Sequence, residues 1–372
     1  MDQTILVINP GSTSDDIGFF RNGKQEFSKV MRYSPPDLKP FEAKPITAQL
    51  EFRKKLLLGF LKENNILPGG ISAIIGRGGL VRPIESGTYR VGPKLLEDLR
   101  YGVMGDHSSN LGGILAHELG ELYKAPAFIA DPVVVDELEP MARYSGMPDN
   151  PRISIFHALN HKRVARLAAR QLGKAYEDCR LIVMHGGGGI SVGAHRNGRV
   201  VDVNNALDGE GPFTPQRSGG VPSGGLARLC FGGKYTHADM KLKIKGRGGM
   251  VAYTGTSDML ALEKYIETGA KDPACGMDYE KISREQALEL RNAMAYQIAK
   301  EIGAMAAVLE GKVDALVLTG GLAYDKGLVK FITDRVGWIA QVLLFPGGDE
   351  KAALCEAAAR ALENPASAKE YN

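Results

Sequence analysis

The chain has 372 residues, of which 44% are hydrophobic and 24% charged, a composition typical of a globular protein with two or three domains. Its net charge of only +3, without a clear cluster of Lys and Arg, argues against nucleic-acid binding. Four scattered cysteines and the lack of a long apolar run argue against a zinc site, a redox pair and a membrane span. The first residues lack the basic and apolar regions of a signal peptide, which predicts a cytoplasmic protein.

The chain is predicted to begin with consecutive β-hairpins. An apolar strand at residues 5–9 leads into the loop 10–14, a second strand and the pair Asn22-Gly23. Asn-Gly supplies the positive φ angles of a type I′ turn, so a strand is expected on either side of it. Further along, the period of the apolar residues predicts helices at residues 49–61, 108–123, 158–173, 285–310 and 350–363, with Ser108 and Ser109 as candidate N-caps of the second.

The second half of the chain repeats the order of the first. An apolar strand at residues 181–185, a glycine loop at 186–189 and the pair Asn197-Gly198 reproduce the hairpin pattern. The strand that ends in paired glycines at residues 71–79 likewise resembles residues 313–321. Two similarities in the same order predict a duplicated α/β domain with a cleft between the halves.

The domain boundary is expected in the segment 145–151, which is rich in turn-forming residues. Residues 1–150 would then form an N-terminal domain, joined by the C-terminal helix at 352–372. Residues 151–351 would form a C-terminal, nucleotide-binding domain.

Two loops are candidates for phosphate binding. The chain has neither a P-loop nor a complete G-x-G-x-x-G, which disfavours P-loop NTPases and Rossmann dehydrogenases. The loops 10–14 and 186–189 nevertheless offer backbone N–H groups that can converge on an anion. Such a loop alone could equally be a tight hairpin, but its duplication favours phosphate.

One hydrolase motif matches but lacks its context. Residues 189–193 fit G-x-S-x-G around Ser191. A nucleophile elbow requires a helix directly after the serine, whereas strand and turn residues follow here. Ser191 is therefore predicted to lie in a strand or a phosphate loop and not to act as a nucleophile.

Stretches spread over nearly the whole chain resemble the acetate/butyrate kinase family, within the sugar kinase, heat-shock-70 and actin superfamily. They are residues 8–14, 76–79, 86–89, 107–113, 131–137, 154–160, 204–213, 217–222 and 319–324. The resemblance is strongest to the butyrate kinase branch. It implies two ribonuclease H-like (actin-like ATPase) α/β domains with mixed sheets and an interdomain cleft. It also implies phosphoryl transfer from ATP to a short-chain carboxylate such as butyrate, with Mg²⁺, in a homodimer or higher homo-oligomer without nucleic-acid or membrane partners.

The resemblance also implies which residues form the site. The catalytic residues would be Arg77, Asp131, His157 and Arg217, since arginine offers a planar fork for carboxylate and phosphate and the histidine steadies the transferring group. The acid would contact Gly79, His107 and Phe156. The nucleotide and its phosphates would contact Asn9, Ser12, Ser14, His185, Gly187, Gly188, Gly189, Gly320 and Gly321. Asn9 and Asp131 would be the metal ligands.

Some residues depart from the family pattern and leave the activity open. Asp15 and Asp16 stand beside the first phosphate loop, where the family usually has a lysine, so a nucleotide-binding regulator without phosphoryl transfer is one possible function. Gly79 replaces the valine of acetate kinases and would leave room for a longer acyl chain. A kinase for acetate, propionate or a branched short-chain acid, and a sugar kinase of the same superfamily, stay open as well.

Overall fold

The computed structural model describes residues 2–372, which form two compact units. The first comprises the residues up to Val135, Ala158–Asn160 and Asp349–Asn372, and the second comprises Asp136–His157 and His161–Gly348. Within the described residues, no helix combines the length and the apolar character that crossing a membrane requires.

The helices in chain order are α1 (Pro35–Leu38), α2 (Leu50–Glu63), α3 (Pro93–Tyr101), α4 (Asn110–Tyr123), α5 (Ala158–Gln171), α6 (Ser223–Phe231), α7 (His237–Ile244), α8 (Met250–Thr254), α9 (Met259–Thr268), α10 (Arg284–Val308), α11 (Lys326–Val336) and α12 (Glu350–Glu363). Short 3₁₀ helices lie at Lys39–Phe41, Ile46–Gln49, Pro140–Arg143, Tyr176–Asp178, Pro273–Cys275, Gly321–Tyr324 and Pro365–Ser367. The helices predicted from apolar periodicity are all present, with ends within two residues of the prediction.

The sheet of the first unit contains β1 (Thr4–Pro10), β2 (Ser14–Arg21), β3 (Lys24–Arg32), β4 (Ala73–Arg77), β5 (Thr88–Arg90) and β6 (Ala127–Ala130), in the order β3-β2-β1-β4-β6-β5. The first three strands form an antiparallel meander, and β4 and β6 continue the sheet parallel to β1. Asn22 and Gly23 have φ angles of 48° and 77°, as a type I′ turn requires. The apolar run of β1 is buried on both faces because β1 lies inside the sheet.

Helices cover both faces of this sheet. Helix α4 packs on one face, and α12 packs on the other through a run of small residues. The backbones of α4 and β4 touch, because a methyl group on Gly76 would overlap the carbonyl of Gly112. This contact fixes the start of α4 beside the end of β4.

The sheet of the second unit contains β7 (Arg180–Gly186), β8 (Ile190–Arg196), β9 (Arg199–Val203), β10 (Ala315–Gly320) and β11 (Val342–Pro346), in the order β11-β10-β7-β8-β9. Strands β7 to β9 form an antiparallel meander, and β10 and β11 run parallel to β7. Helix α10 covers one face and α5 the other.

The two sheets share one topology. The order β3-β2-β1-β4-β6 has the same connections and directions as β9-β8-β7-β10-β11, and β5 is an addition at the edge of the first sheet. Asn197 and Gly198 repeat the positive φ angles of the first hairpin turn. The predicted α/β class, the mixed sheets and the duplication are therefore confirmed.

Candidate active site

In the first unit, three predicted site residues lie at one edge of the sheet. Strands β1, β4 and β6 run parallel in register, so Asn9, Arg77 and Asp131 stand at or just beyond their carboxyl ends. In open α/β sheets, ligands bind at this edge. The strand order of the sheet therefore brings these three predicted site residues to the same edge.

Glu350, which no motif in the sequence had singled out, joins two of these residues. Its Oε2 accepts hydrogen bonds from Arg77 Nη1 and Asn9 Nδ2, each at 2.8 Å. Glu350 is the first residue of α12, where the helix dipole favours a carboxylate. Both side chains of the Arg77–Glu350 pair are about 30% exposed, so a ligand can reach them. The only signal in the sequence is an acid in the first turn of a predicted helix.

Asp131 is buried and holds a turn. It has a positive φ of 38°, and its Oδ1 accepts hydrogen bonds from Ser86 Oγ at 2.6 Å and Gly87 N at 2.8 Å. Its own N–H donates to the carbonyl of Gly87 at 3.1 Å. Asp131 therefore ties the segment 86–89, one of the family-like stretches, to the end of β6.

A buried ion pair contacts the first candidate phosphate loop, residues 10–14. Arg53 and Asp15 are both fully buried and pair with each other, and Arg53 also donates to the carbonyl of Gly11 at 2.9 Å. Tyr33 donates to the other oxygen of Asp15 at 2.5 Å. Ser12 is exposed on the loop and Ser14 is half-buried where β2 begins.

The two acids next to this loop, Asp15 and Asp16, each form an ion pair. Burial raises the pKa of Asp15, although Arg53 and Tyr33 oppose the shift. Asp16 accepts a hydrogen bond from Lys351 Nζ at 2.7 Å. The two aspartates that motivated the regulator hypothesis thus pair with cations of the same unit.

The glycine at position 79 is closely packed. A methyl group there would lie 2.5 Å from Asn110 Oδ1 and 2.6 Å from Leu99 Cδ2. The side chain of Asn110 is fully buried and accepts a hydrogen bond from Leu80 N at 2.8 Å. The space beside Gly79 is thus filled by α3 and α4, and its proposed contact with the acyl chain stays a prediction.

His107 lies on the exposed turn before α4. Its Nδ1 is 2.9 Å from Ser109 Oγ and accepts a hydrogen bond from Ser109 N at 3.2 Å. Ser109, one of the two candidate N-caps, is the N-cap residue of α4, but it has helical angles and its side chain makes no capping hydrogen bond, because its hydroxyl contacts His107. The hydroxyl of Ser108 is buried and has no hydrogen-bond partner among residues 2–372.

In the second unit, Arg217 lies across the glycine loop. A methyl group on Gly189 would overlap its guanidinium, which donates to the carbonyl of Ala206. Thr214 Oγ1 donates to Gly188 O at 2.7 Å and accepts from Arg217 N at 3.0 Å. Burial lowers the pKa of Arg217, and arginine stays protonated in proteins. A cation is therefore held against the loop that was predicted to bind phosphate.

Of the two glycines at the end of β10, Gly320 is in close contact with β7. A methyl group on Gly320 would overlap the carbonyl of Gly186, and the φ of Gly320 is 84°. Gly320 and Gly347 exchange backbone hydrogen bonds of 3.0 and 2.9 Å. Gly321 is exposed, and nothing lies within 4 Å of where its side chain would be, so its surface is open to a ligand.

His157 and His185 form a stacked pair. Their ring centroids are 4.0 Å apart with an interplanar angle of 19°. The Nδ1 of His157 is 2.9 Å from the hydroxyl of Ser191, which lies fully buried in β8, as the strand prediction required. Phe156 is buried and packs edge-on against His161, with centroids 5.1 Å apart. Sequence reasoning missed the contact of Ser191 with His157, although the G-x-S-x-G match had singled out the serine.

The residues at the sheet edge of the first unit could hold Mg²⁺ only together with waters and substrate phosphates. No group of three or more His, Cys, Asp and Glu side chains that could hold a metal ion occurs within the part of the chain that the structure describes. Mg²⁺ commonly binds through one or two carboxylates, waters and substrate phosphates. The carboxylate of Glu350, next to Asn9, is a ligand of this type.

The sequence and fold have clear relatives. A family model described as the acetokinase family matches residues 152–333. A protein of Elusimicrobium minutum (strain Pei191) named "Probable butyrate kinase" is 55% identical over 372 residues, 100% of both chains. "Butyrate kinase 2" of Clostridium acetobutylicum is 50% identical over 367 residues, 99% of both chains.

A solved structure has the same fold. Acetate kinase from Entamoeba histolytica superposes with a TM-score of 0.75 over 97% of this chain and 100% of its own, at 18% sequence identity. At that identity the similarity shows the fold alone. The fold that the sequence resemblance implied is thereby confirmed.

Proposed function

This chain belongs to the acetokinase family, and we propose that it transfers the γ-phosphoryl group of ATP to a short-chain carboxylate, with butanoate as the preferred acid. The products are butanoyl phosphate and ADP. The observation that carries this proposal is identity of 50 to 55% over the full length to proteins named butyrate kinases.

The reaction sets the chemical requirements of the site. A carboxylate oxygen attacks the γ-phosphorus, the bond to the β-phosphate oxygen breaks, and ADP leaves. With fully ionised reactants no proton is consumed or released. The main obstacle is repulsion between two anions, so the protein must supply positioned cations and hydrogen-bond donors. We propose direct in-line transfer without a phosphoenzyme.

The roles in the first unit follow from the contacts of Arg77. Its fork is suited to a carboxylate, and Glu350 and Asn9 orient it through Nη1. We assign the acid to Arg77, with His107 and Gly79 as further predicted acid contacts of this unit; the remaining predicted contact, Phe156, belongs to the second unit. Asp131 supports this edge by fixing the turn at Ser86 and Gly87.

The roles in the second unit concern the nucleotide. Arg217 and the backbone of residues 187–189 are proposed to bind the phosphates. For Ser12 and Ser14 of the first unit, the predicted role in phosphate binding is kept as part of the proposal. His157, stacked on His185, donates a hydrogen bond to the transferring phosphoryl group. Gly320 and Gly321 allow adenosine to approach the backbone, because Gly321 has open space beside it.

Mg²⁺ is proposed to accompany ATP. Asn9 and Asp131, the two ligands that the resemblance implied, would hold it, with the carboxylate of Glu350 as a further ligand. When bound, the ion neutralises charge on the β- and γ-phosphates.

A kinase for acetate, propionate or a branched acid is the second candidate function. The packing at Gly79 favours the two shorter acids, acetate and propionate, because Asn110 and Leu99 fill the space that the sequence had suggested for a longer acyl chain. The regulator hypothesis has lost its support, since Asp15 and Asp16 are both paired. We also propose a homodimer or higher homo-oligomer, which the large exposed side chains of Met141 and Tyr144 would help to form.

The direct test is ATP-dependent hydroxamate formation with acids of two to five carbons, Mg²⁺ and hydroxylamine, which traps acyl phosphates. We expect the highest kcat/KM with butanoate. A clear preference for acetate or a branched acid would favour the second candidate. No hydroxamate with any acid would exclude carboxylate kinase activity, and ATP consumption with hexoses would then indicate a sugar kinase.

A further inference from the structure

A continuous series of side-chain hydrogen bonds runs from His157 into the interior of the second unit. It consists of His157, Ser191, His161, His195 and Tyr176, which we call the histidine chain. The joined atoms are His157 Nδ1 and Ser191 Oγ (2.9 Å), Ser191 Oγ and His161 Nε2 (2.8 Å), His161 Nδ1 and His195 Nε2 (3.3 Å), and His195 Nδ1 and Tyr176 Oη (2.8 Å).

The inner members of the histidine chain are removed from water. Ser191, His161 and His195 have no exposed surface, and Tyr176 is 5% exposed. Burial of a polar side chain is unfavourable unless its hydrogen bonds are made, so apolar residues would fill this space at lower cost. The group therefore calls for an explanation beyond packing.

Both inner histidines are neutral at neutral pH. Burial lowers the pKa of His161 well below its usual value, and His185 and Lys162 add to the shift, while a hydrogen bond with the backbone of Ser191 opposes it. Burial also lowers the pKa of His195, with further contributions from His161, Lys162 and Arg166. A neutral imidazole has one nitrogen that donates and one that accepts.

This property couples all links of the histidine chain. If Tyr176 donates to His195 Nδ1, then His195 Nε2 donates to His161, and His161 Nε2 donates to Ser191. Ser191 then donates to His157 Nδ1, and the remaining hydrogen of neutral His157 is on Nε2. The reverse direction places that hydrogen on Nδ1. As long as Ser191 donates its single hydrogen to one of the two rings, the orientation at Tyr176 thus sets the tautomer of His157 across four hydrogen bonds.

The chemistry of the terminal residue favours the first direction. A phenol hydroxyl is a much stronger acid than a neutral imidazole N–H, so it is the better donor, and an imidazole lone pair is the better acceptor. We propose that Ser191, His161, His195 and Tyr176 are positioning residues that hold His157 as the neutral tautomer with hydrogen on Nε2. This rests on the proposed function, in which His157 Nε2 donates to the transferring phosphoryl group. Because the reaction consumes no proton, the histidine chain holds a proton in place and does not transport one.

The test combines spectroscopy and kinetics on the full chain. Long-range ¹H–¹⁵N spectra of protein labelled with ¹⁵N-histidine report the tautomer of each ring, and the signals missing in His157→Gln identify His157. We expect hydrogen on Nε2 of His157 in the wild type. Ser191→Ala and Tyr176→Phe should each give a mixture of tautomers. We expect kcat to fall by about three- to ten-fold, the worth of one hydrogen bond, with a smaller change in the KM for ATP.

The matched control is Tyr265→Phe. Tyr265 is a buried tyrosine of the same unit whose hydroxyl donates to Ile282 O at 3.2 Å and is not part of the histidine chain. It should leave the spectrum of His157 and kcat unchanged. Hydrogen on Nδ1, a doubly protonated ring, or an unchanged His157 spectrum in Tyr176→Phe would each overturn the proposal. Tyr176→Phe keeps the shape of the side chain, so it remains decisive if Ser191→Ala fails to fold. The spectra need no substrate, so a wild type that lacks kinase activity would reject the proposed function and still decide the tautomer.

Discussion

The position of the Arg217 guanidinium depends on Gly189, in the loop between β7 and β8, having no side chain. The guanidinium occupies the volume that a methyl group on Gly189 would need, and the Cζ atom would be 2.8 Å from that methyl. Because Gly189 lacks a side chain, the backbone of the loop and the cation of Arg217 lie in contact at this residue. A larger residue at this position would leave the loop N–H groups in place and move only the charge.

We therefore predict that Gly189→Ala lowers kcat by about a hundred-fold, because a shift of about 1 Å in a positioned charged group has costs of that order. The hydroxamate assay with butanoate measures the effect. Gly303→Ala is the matched control, since it adds the same methyl group to α10 of the same unit, where nothing lies within 4 Å. A Gly189→Ala enzyme with the kcat of the wild type would show that Arg217 is not needed at this place.

At the scale of elements, the packing of α4 on β4 depends on direct backbone contact. A methyl group on Gly112 would overlap the carbonyl of Arg77 and lie 2.9 Å from its nitrogen. Because both atoms belong to the backbone, the helix must move as a whole to make room. The start of α4, with His107 before it, would move away from Arg77.

We predict opposite effects on stability for two helical glycines of the first unit. Gly112→Ala should lower the free energy of unfolding by about 1 to 3 kcal/mol, as overpacking does. Gly59→Ala in α2 should raise it by about 0.5 to 1 kcal/mol, because nothing lies within 4 Å of the new methyl and alanine favours a helix. Urea denaturation of both variants measures the difference. A stabilising effect of Gly112→Ala would mean that α4 can move at little cost.

Single elements could be predicted from the sequence, whereas contacts between elements could not. The helices and the two Asn-Gly turns were predictable because periodicity and turn chemistry are local properties. The contact of Glu350 with Arg77 joins residues 273 positions apart, so no local pattern reports it. The packing around Gly79 likewise depends on α3 and α4, and the sequence alone suggested open space there instead.

At the scale of the whole molecule, the duplicated topology was predictable because two local patterns recur in the same order. The burial of His161 and His195 was not, since it results from the closure of β8 and α5 on the interior. That burial has a consequence for the entire chain, because groups that stay neutral only when folded make the free energy of unfolding depend on pH.

We expect the folded chain to lose stability in mild acid. The unfolded chain takes up protons on both histidines as the pH falls below their usual pKa of 6.5, whereas the folded chain, in which burial lowers both pKa values, does not. The free energy of unfolding should therefore fall with pH below about 6.5, by up to about 1.4 kcal/mol per pH unit for each histidine. Urea denaturation between about pH 7.5 and pH 5.5 measures this slope.

The control variants isolate the contribution of one histidine. His195→Gln should make the slope shallower by up to about 1.4 kcal/mol per pH unit, even if it lowers stability throughout. His237→Gln, which replaces an exposed histidine at the start of α7, should leave the slope as it is. Partly buried carboxyls such as Glu301, whose pKa burial raises, act in the opposite direction but are common to all three proteins, so they cancel in the comparison. Equal slopes for His195→Gln and the wild type would show that His195 is protonated in the folded chain, and the neutral histidine chain would then be wrong as well.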